Sequence, residues 1–188
     1  MILYLHGFRS SPLSFKARLL TDYFREQGRS HEFVCPALPA SPAAAIALAR
    51  SIVQQHPEQE WSLIGSSLGG CYATFLAEEL NCKAVLLNPA VKPPRELASY
   101  VGITTNYHTG EEFEFKAAYV DELKALAVDK ITKPERYFLM AATGDEVLDW
   151  REMVAHYAGA QQFVIEGSDH GISEFADYLQ MVVDFCDA

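Results

Sequence analysis

The sequence predicts a three-layer α/β/α sandwich with a mostly parallel, six-stranded sheet. Three observations support this prediction. Short apolar runs alternate with amphipathic stretches along the chain, which is typical of successive βα units. The 188 residues are 49% hydrophobic, which is enough for one domain with a proper core. No repeat or low-complexity linker interrupts the chain, so we expect residues 1–188 to form a single domain.

Six short apolar runs predict the strands of this sheet, because each is bounded by turn-forming or polar residues. In chain order they are Ile2–Leu5, Glu32–Cys35, Ser62–Ile64, Ala84–Leu87, Tyr137–Ala141 and Gln162–Ile165. The loops that follow parallel strands meet at one edge of a sheet, where ligand sites of open α/β sheets are found. We therefore expect functional residues in those loops.

Amphipathic stretches between the strands predict helices. The first begins at Ser11-Pro12, a favourable N-cap and first-turn pair, and ends near Gly28. An alanine-rich stretch from Pro42 to Gln55 predicts the second helix. A helix-compatible stretch from Gly70 to Leu80 follows the third strand. The run from Ser173 predicts a closing helix, because its apolar residues recur at helical spacing.

The segment from Val91 to Lys133, called the insertion, interrupts this alternation. It contains Pro93-Pro94, a polar and aromatic run, and a mostly helix-like stretch from Glu111 to Val128, but no clear strand. Connections of this length between two strands are unusual and often functional. We interpret residues 91–133 as a small helical cap over a functional site. The alternative is an ordinary helical excursion that covers the edge of the sheet.

The composition limits the partners and the compartment. The formal net charge of −10 argues against a nucleic acid or an anionic membrane as the partner. Four cysteines lie far apart without metal-ligand spacing, so we expect them to be reduced and buried. The chain opens without a basic leader or a long apolar segment, so we expect a cytoplasmic protein that does not insert into membranes. The oligomeric state has no signal in the sequence.

The most specific motif, Gly65-Ser66-Ser67-Leu68-Gly69, lies between the third strand and the helix that follows it. In this setting the G-x-S-x-G pattern predicts Ser67 as a nucleophile that attacks an acyl carbon. A sharp strand-to-helix turn pushes the serine towards positive φ, and the flanking glycines let the backbones pass. The alternative is a Gly/Ser-rich turn without chemistry.

A serine nucleophile needs a base, and the base needs an acid that orients it. After such a turn the acid precedes the base in the chain. Asp145 follows the fifth strand and is the predicted acid, ahead of its rivals Glu146, Asp149 and Asp169. His170 lies in a glycine-flanked loop after the sixth strand and is the predicted base. The other histidines come too early or lie in the insertion or a helix: His6, His31, His56, His108 and His156.

Two backbone amides are predicted to form an oxyanion hole, because tetrahedral acyl chemistry places negative charge on an oxygen. One is the amide of Leu68, the residue after the predicted nucleophile. The other is the amide of Phe8, in the glycine-containing loop after the first strand. For His6-Gly7 the alternative is a plain turn that ends a strand.

These motifs resemble those of the α/β-hydrolase superfamily and, more narrowly, of the small bacterial YqiA-like esterases: His6-Gly7-Phe8, residues 65–70, residues 143–149 and Asp169-His170-Gly171. The likeness runs from Leu3 to Phe185. It implies a compact α/β-hydrolase fold without the first two strands of larger relatives. It also implies Ser67, Asp145 and His170 as nucleophile, acid and base, and activity on simple esters or acyl thioesters.

Motifs and resemblance together predict a serine esterase that cleaves carboxylic esters with small or medium acyl chains through an acyl-enzyme. No metal or organic cofactor is expected. One alternative is an acyl-thioester hydrolase, although the negative charge counts mildly against a CoA ester; amide hydrolysis is another. A non-catalytic binding protein would lack a triad member, and none is missing. Five aromatic residues of the insertion suggest an apolar substrate pocket, or else pack the segment onto the core: Tyr100, Tyr107, Phe113, Phe115 and Tyr119.

Overall fold

A computed structural model describes residues 1–188 and contains eight β-strands. They are β1 (Ile2–Leu5), β2 (Phe33–Val34), β3 (Ser62–Ser66), β4 (Lys83–Leu87), β5 (Gly102–Thr105), β6 (Glu112–Phe115), β7 (Tyr137–Ala142) and β8 (Gln161–Ile165). Six of them form one sheet in the order β2-β1-β3-β4-β7-β8, and every neighbouring pair is parallel. The predicted six-stranded sheet is therefore confirmed, with strand bounds that differ by at most two residues.

Seven α-helices surround the strands. They are α1 (Phe15–Glu26), α2 (Pro42–Gln54), α3 (Leu68–Leu80), α4 (Pro93–Leu97), α5 (Ala117–Ala125), α6 (Trp150–His156) and α7 (Phe175–Asp187). None of these helices has the length and apolar character needed to cross a membrane.

The core consists of two apolar clusters, one on each face of the parallel sheet. Side chains alternate between the faces along each strand, so that Leu3 and Leu5 join one cluster and Tyr4 joins the other. Helices α2, α3 and α6 contribute to the cluster of 27 buried residues, and α1 and α7 to the cluster of 16. The three-layer architecture is confirmed, and it is why nearly every residue of the central strands β1, β3, β4 and β7 is buried.

The first helix begins later than the sequence predicts. Ser14 is the N-cap residue, and α1 starts at Phe15 instead of near Pro12. Ser11 forms a separate turn, because its carbonyl accepts the Ser14 amide at 3.0 Å and its hydroxyl accepts the Leu13 amide at 3.1 Å. A serine that bonds to nearby backbone in this way favours a turn over helix initiation.

The insertion contains two short strands as well as α4 and α5. Strands β5 and β6 form an antiparallel hairpin, so the prediction of a segment without strands is wrong on this point. In β6 the exposed Glu112 and Glu114 alternate with Phe113 and the buried Phe115, as in a strand with one buried face. Four residues are too few for this alternation to stand out from the helix-like residues that follow.

Candidate active site

Four loops at one edge of the sheet hold the predicted site residues. Ser67 directly follows β3, Asp145 follows β7, and His170 lies between β8 and α7. Phe8 lies between β1 and α1. Because all six strands run parallel, these loops meet at the carboxyl edge of the sheet.

The turn at Ser67 has the strained geometry that the motif predicts. Ser67 has φ 55° and ψ −121°, a region that residues with a side chain rarely occupy. A Cβ atom on Gly65 would lie 2.3 Å from the Gly69 carbonyl oxygen, and one on Gly69 would lie 1.9 Å from that of Leu5. Only glycine fits at these two positions. The Ser67 amide donates to the Leu87 carbonyl at 3.0 Å, which ties the turn to β4.

The structure brings the predicted nucleophile, base and acid into one hydrogen-bonded chain. His170 Nε2 lies 3.0 Å from Ser67 Oγ, and His170 Nδ1 lies 2.8 Å from Asp145 Oδ2. An ionised carboxylate only accepts, so Nδ1–H donates to it and Nε2 is left to accept the serine proton. The Asp145 side chain is 0% exposed, and its Oδ1 accepts the amides of Val147 and Leu148, both at 2.8 Å. This geometry can make a serine hydroxyl nucleophilic.

The three rival carboxylates bind elsewhere. Glu146 accepts the backbone amide of His170 at 3.0 Å and forms no hydrogen bond with its ring. Asp149 is the N-cap of α6. Asp169 accepts the amide and hydroxyl of Ser173, and these hydrogen bonds hold the pKa of Asp169 below its usual value. Only Asp145 reaches the imidazole.

His6 is buried and positions the loop that carries Phe8. Its Nδ1 lies 3.0 Å from the Gly7 carbonyl oxygen, to which it donates, and its Nε2 accepts the Leu38 amide at 3.0 Å. Burial lowers the pKa of His6, which favours the neutral ring that this pattern requires. Both ring nitrogens are occupied, so His6 does not compete with His170.

The amides of Phe8 and Leu68 are available to a ligand. Leu68 is the first residue of α3, and amides of a first helical turn have no acceptor within the helix. The Phe8 amide donates to no group of the protein. Gly7 allows the loop to approach, since a Cβ atom there would lie 3.1 Å from Ser67 Cβ. Both residues line the same cavity as Ser67.

A cavity of about 780 Å³ opens beside Ser67 and His170. The start of α1 forms one side and the insertion contributes another, including Glu96, Leu97 and Tyr100. Four of the exposed large apolar side chains of the protein line it: Phe15, Tyr100, Tyr107 and Val147. The cavity therefore offers mainly apolar contacts next to the hydrogen-bonded chain. No group of three or more His, Cys, Asp or Glu side chains is arranged to hold a metal ion.

The aromatic residues of the insertion divide between the two roles considered from the sequence. Tyr100 and Tyr107 line the cavity, and Tyr100 also packs edge-on against the ring of Phe8 at a centroid distance of 5.3 Å. Phe113 and Phe115 pack edge-on against the same ring, with centroid distances of 6.0 and 5.0 Å, and do not line this cavity. Tyr119 packs against Phe115, 5.6 Å away, outside the cavity.

Hydrogen bonds also join the Phe8 loop to the tip of the β5–β6 hairpin. Arg9 Nε donates to the Thr105 carbonyl at 2.7 Å, and the Tyr107 amide donates to the Arg9 carbonyl at 2.8 Å. Asn106 Nδ2 donates to the Ser10 carbonyl at 2.7 Å. The position of one predicted oxyanion donor thus depends on the insertion.

Asn88 is a buried residue that the sequence interpretation did not select. It follows β4, has φ 43°, and donates from Nδ2 to the carbonyls of Asp169 and His170, both at 3.0 Å. Its Oδ1 accepts the amide of Ala142, at the end of β7, at 2.8 Å. One side chain therefore connects the strands and loops that carry Asp145 and His170. The available signal was a polar residue placed directly after a buried strand.

Lys16 was also missed and holds the next carbonyl of the same loop. Its Nζ donates to the Gly171 carbonyl, and its side chain lines the cavity. Burial lowers the pKa of Lys16 to about 8, although the nearby carboxylates of Asp169 and Asp145 act in the opposite direction. The available signal was a lysine four residues before the buried Leu20, on the apolar face of α1.

Comparisons with known proteins identify the family and the fold of this chain. The model of UPF0227, described as an uncharacterised protein family, matches residues 1–187. A putative hydrolase from Agrobacterium vitis S4 superposes with a TM-score of 0.74 at 16% identity, covering 97% of this chain and 87% of that one. Est1E from Butyrivibrio proteoclasticus with bound ferulic acid gives 0.73 at 15%, covering 99% and 86%. Paleococcus ferrophilus monoacylglycerol lipase gives 0.67 at 16%, covering 98% and 94%. At this identity the likeness shows the fold, which is that of the α/β hydrolases.

Proposed function

We propose that this chain, which belongs to the UPF0227 family, is a serine hydrolase that cleaves carboxylic esters. The observation that carries the proposal is the hydrogen-bonded chain from Ser67 Oγ through His170 to the buried carboxylate of Asp145. The names of the similar structures, a putative hydrolase and a monoacylglycerol lipase among them, support the same class of reaction.

In the first half of the reaction Ser67 attacks the ester carbonyl carbon while His170 Nε2 takes its proton. Asp145 stabilises the resulting imidazolium through Nδ1–H. The oxyanion accepts hydrogen bonds from the Phe8 and Leu68 amides, which need no reorganisation because they are already unpaired. His170 then returns the proton to the leaving alkoxide, and the alcohol departs from an acyl-Ser67 ester.

In the second half a water molecule attacks the acyl carbon and gives its proton to His170. The tetrahedral intermediate collapses, Ser67 recovers its proton and the acid is released. No step requires a metal or an organic cofactor. The apolar cavity of about 780 Å³ supports small or medium acyl chains as substrates.

Labelling with a fluorophosphonate probe tests this proposal. Wild-type protein should be labelled covalently, and Ser67→Ala should not be. Ser66→Ala is the matched control, because it removes the neighbouring hydroxyl and should retain labelling. Labelling that is absent from the wild type, or that persists in Ser67→Ala, contradicts the proposal. A panel of acyl esters and acyl thioesters of graded chain length then distinguishes an esterase from a thioesterase.

A further inference from the structure

The cavity beside Ser67 contains polar atoms that the fold leaves unpaired. Three buried side-chain nitrogen or oxygen atoms in the whole chain have no hydrogen-bond partner: Ser14 Oγ, Glu96 Oε2 and Arg136 Nε. The first two belong to residues that line this cavity. Buried polar groups are nearly always paired in native proteins, so the unpaired carboxylate oxygen of Glu96 calls for an explanation.

Glu96 is the more informative of the two, because it can carry a charge. It lies in α4, at the start of the insertion, and its side chain is 14% exposed. Burial raises the pKa of Glu96, because the site penalises the ionised carboxylate. A carboxyl group in such a place costs free energy of folding unless a partner arrives later.

The neighbouring cations do not supply that partner. Arg95 donates to both carboxylate oxygens of Glu152, at 3.1 and 2.7 Å, and Lys92 donates to Glu152 at 2.8 Å. Arg95 reaches only Glu96 Oε1, at 3.5 Å, the outer limit of a hydrogen bond. The basic residues around α4 therefore bind Glu152, and Glu96 Oε2 is left as a buried oxygen without a partner on a residue that lines the cavity.

We propose that Glu96 is a substrate-binding residue that accepts a hydrogen bond from a hydroxyl or amino group of the ester. The rest of the cavity is largely apolar, so the substrate has an apolar body and carries this donor away from the scissile bond. The inference rests on the proposed ester hydrolysis and names the substrate class for the same site. A buried acceptor discriminates strongly between substrates with and without such a donor, because a substrate that lacks the donor leaves the acceptor unpaired.

The test compares plain acyl esters with matched esters that carry a hydroxyl or amino group at graded positions in the acyl or alcohol part. Glu96→Leu removes the acceptor. Glu114→Leu is the matched control, because it removes the same charge from an exposed position in β6 of the insertion. The readout is the ratio of kcat/KM for the donor-bearing ester to that for the plain ester.

We expect wild type and Glu114→Leu to prefer a donor-bearing ester, and Glu96→Leu to lose that preference by about tenfold or more. A smaller change overturns the proposal. Glu96→Gln keeps the shape and one acceptor oxygen. It should retain more preference for the hydroxylated ester than for the aminated one, and it decides the question if the leucine variant does not fold.

A binding experiment separates this inference from the proposed function. Non-hydrolysable amide counterparts of the same compounds are titrated calorimetrically into Ser67→Ala protein, with and without Glu96→Leu. Loss of the donor preference in the double variant supports the Glu96 site even if no ester is hydrolysed. Equal affinities in both backgrounds overturn it even if Ser67-dependent hydrolysis is found.

Discussion

At the scale of single residues, Asp145 performs two tasks with its two oxygens. One accepts the ring proton of His170, and the other accepts two amides of its own loop. Asparagine would preserve the shape but can present an NH₂ group to the ring and so favour the wrong tautomer. Asp145→Asn should therefore lower kcat by roughly 10³–10⁴-fold. Steady-state ester hydrolysis measures this effect.

Asp149→Asn is the control for that variant. Asparagine is as good an N-cap as aspartate, so helix α6 and the activity should stay near those of the wild type. The reverse result, with loss of activity only at position 149, would show that the acid is misassigned.

Asn88 offers a second prediction, for a residue that acts through others. In Asn88→Asp, a carboxylate oxygen replaces the donor that faces the Asp169 and His170 carbonyls. The resulting displacement of His170 should lower kcat by about 10²-fold with little change in KM. A purely structural role would lower the melting temperature without this split between kcat and KM. Asn81→Asp, at the end of α3, is the control and should leave kcat unchanged.

His6 provides a prediction about acid sensitivity. Because burial lowers its pKa below 6.5, the unfolded chain binds a proton more readily than the folded protein. The contribution of a neutral His6 to stability is present above pH 6.5 and is lost as the pH falls below it. Melting temperatures measured between about pH 7 and pH 5 should fall less steeply in His6→Gln than in wild type. The exposed His31→Gln should follow the wild-type slope.

At the scale of elements, the β5–β6 hairpin and the Phe8 loop behave as one unit. Arg9 joins them by hydrogen bonds to Thr105 and Tyr107, and its guanidinium lies 4.2 Å from the Tyr107 ring centroid. Arg9 also has φ 58°, so glycine at this position removes the side chain without adding backbone strain. An untethered loop should hold the Phe8 amide less accurately.

Arg9→Gly should therefore lower kcat/KM by about tenfold while the thermal stability changes little. The control is Arg25→Ala, which removes an exposed ion pair with Asp22 on the outer face of α1. Equal kcat/KM values in the two variants would show that the hairpin does not position the oxyanion donor.

Sequence patterns predicted most elements well, for a physical reason. Buried parallel strands can be identified in the sequence as short apolar runs. The turn at Ser67 can be identified because its local geometry requires glycine at fixed positions around the serine. The hairpin of the insertion was missed because β6 has one buried face only four residues long. Asn88 and Lys16 were missed because they bind backbone carbonyls of a loop far along the chain, and carbonyls leave no trace in the sequence.

At the scale of the whole molecule, the site lies between the buried parallel sheet and the β5–β6 hairpin, which has less support from the core. The central strands are buried on both faces, whereas β5 and β6 form an isolated pair, in which Ile103 of β5 is 70% exposed. Two-stranded sheets are only marginally stable alone. We propose that this segment covers the site as a cap when substrate is bound.

Hydrogen exchange checks that proposal. Amides of residues 102–115 should exchange faster than those of β3 and β4 in the free protein. After reaction with a fluorophosphonate that carries an acyl-like chain, exchange in 102–115 should slow. An unchanged rate in the adduct would instead favour an excursion that only covers the sheet. Glu96 lies in α4 of the same insertion, so the Glu96→Leu adduct shows whether that side chain contributes to closure.

Asn88 and Lys16 bind three consecutive carbonyls, those of Asp169, His170 and Gly171, and this has a consequence for protein engineering. If Ser67, Asp145 and His170 alone were transferred to another scaffold, the reactive groups would be present, but the loop that carries the histidine would not be held in position. The unit that must be transferred is larger, because it also includes the asparagine that follows β4 and the lysine of helix α1. The design of such a site on a new scaffold should therefore include those two residues.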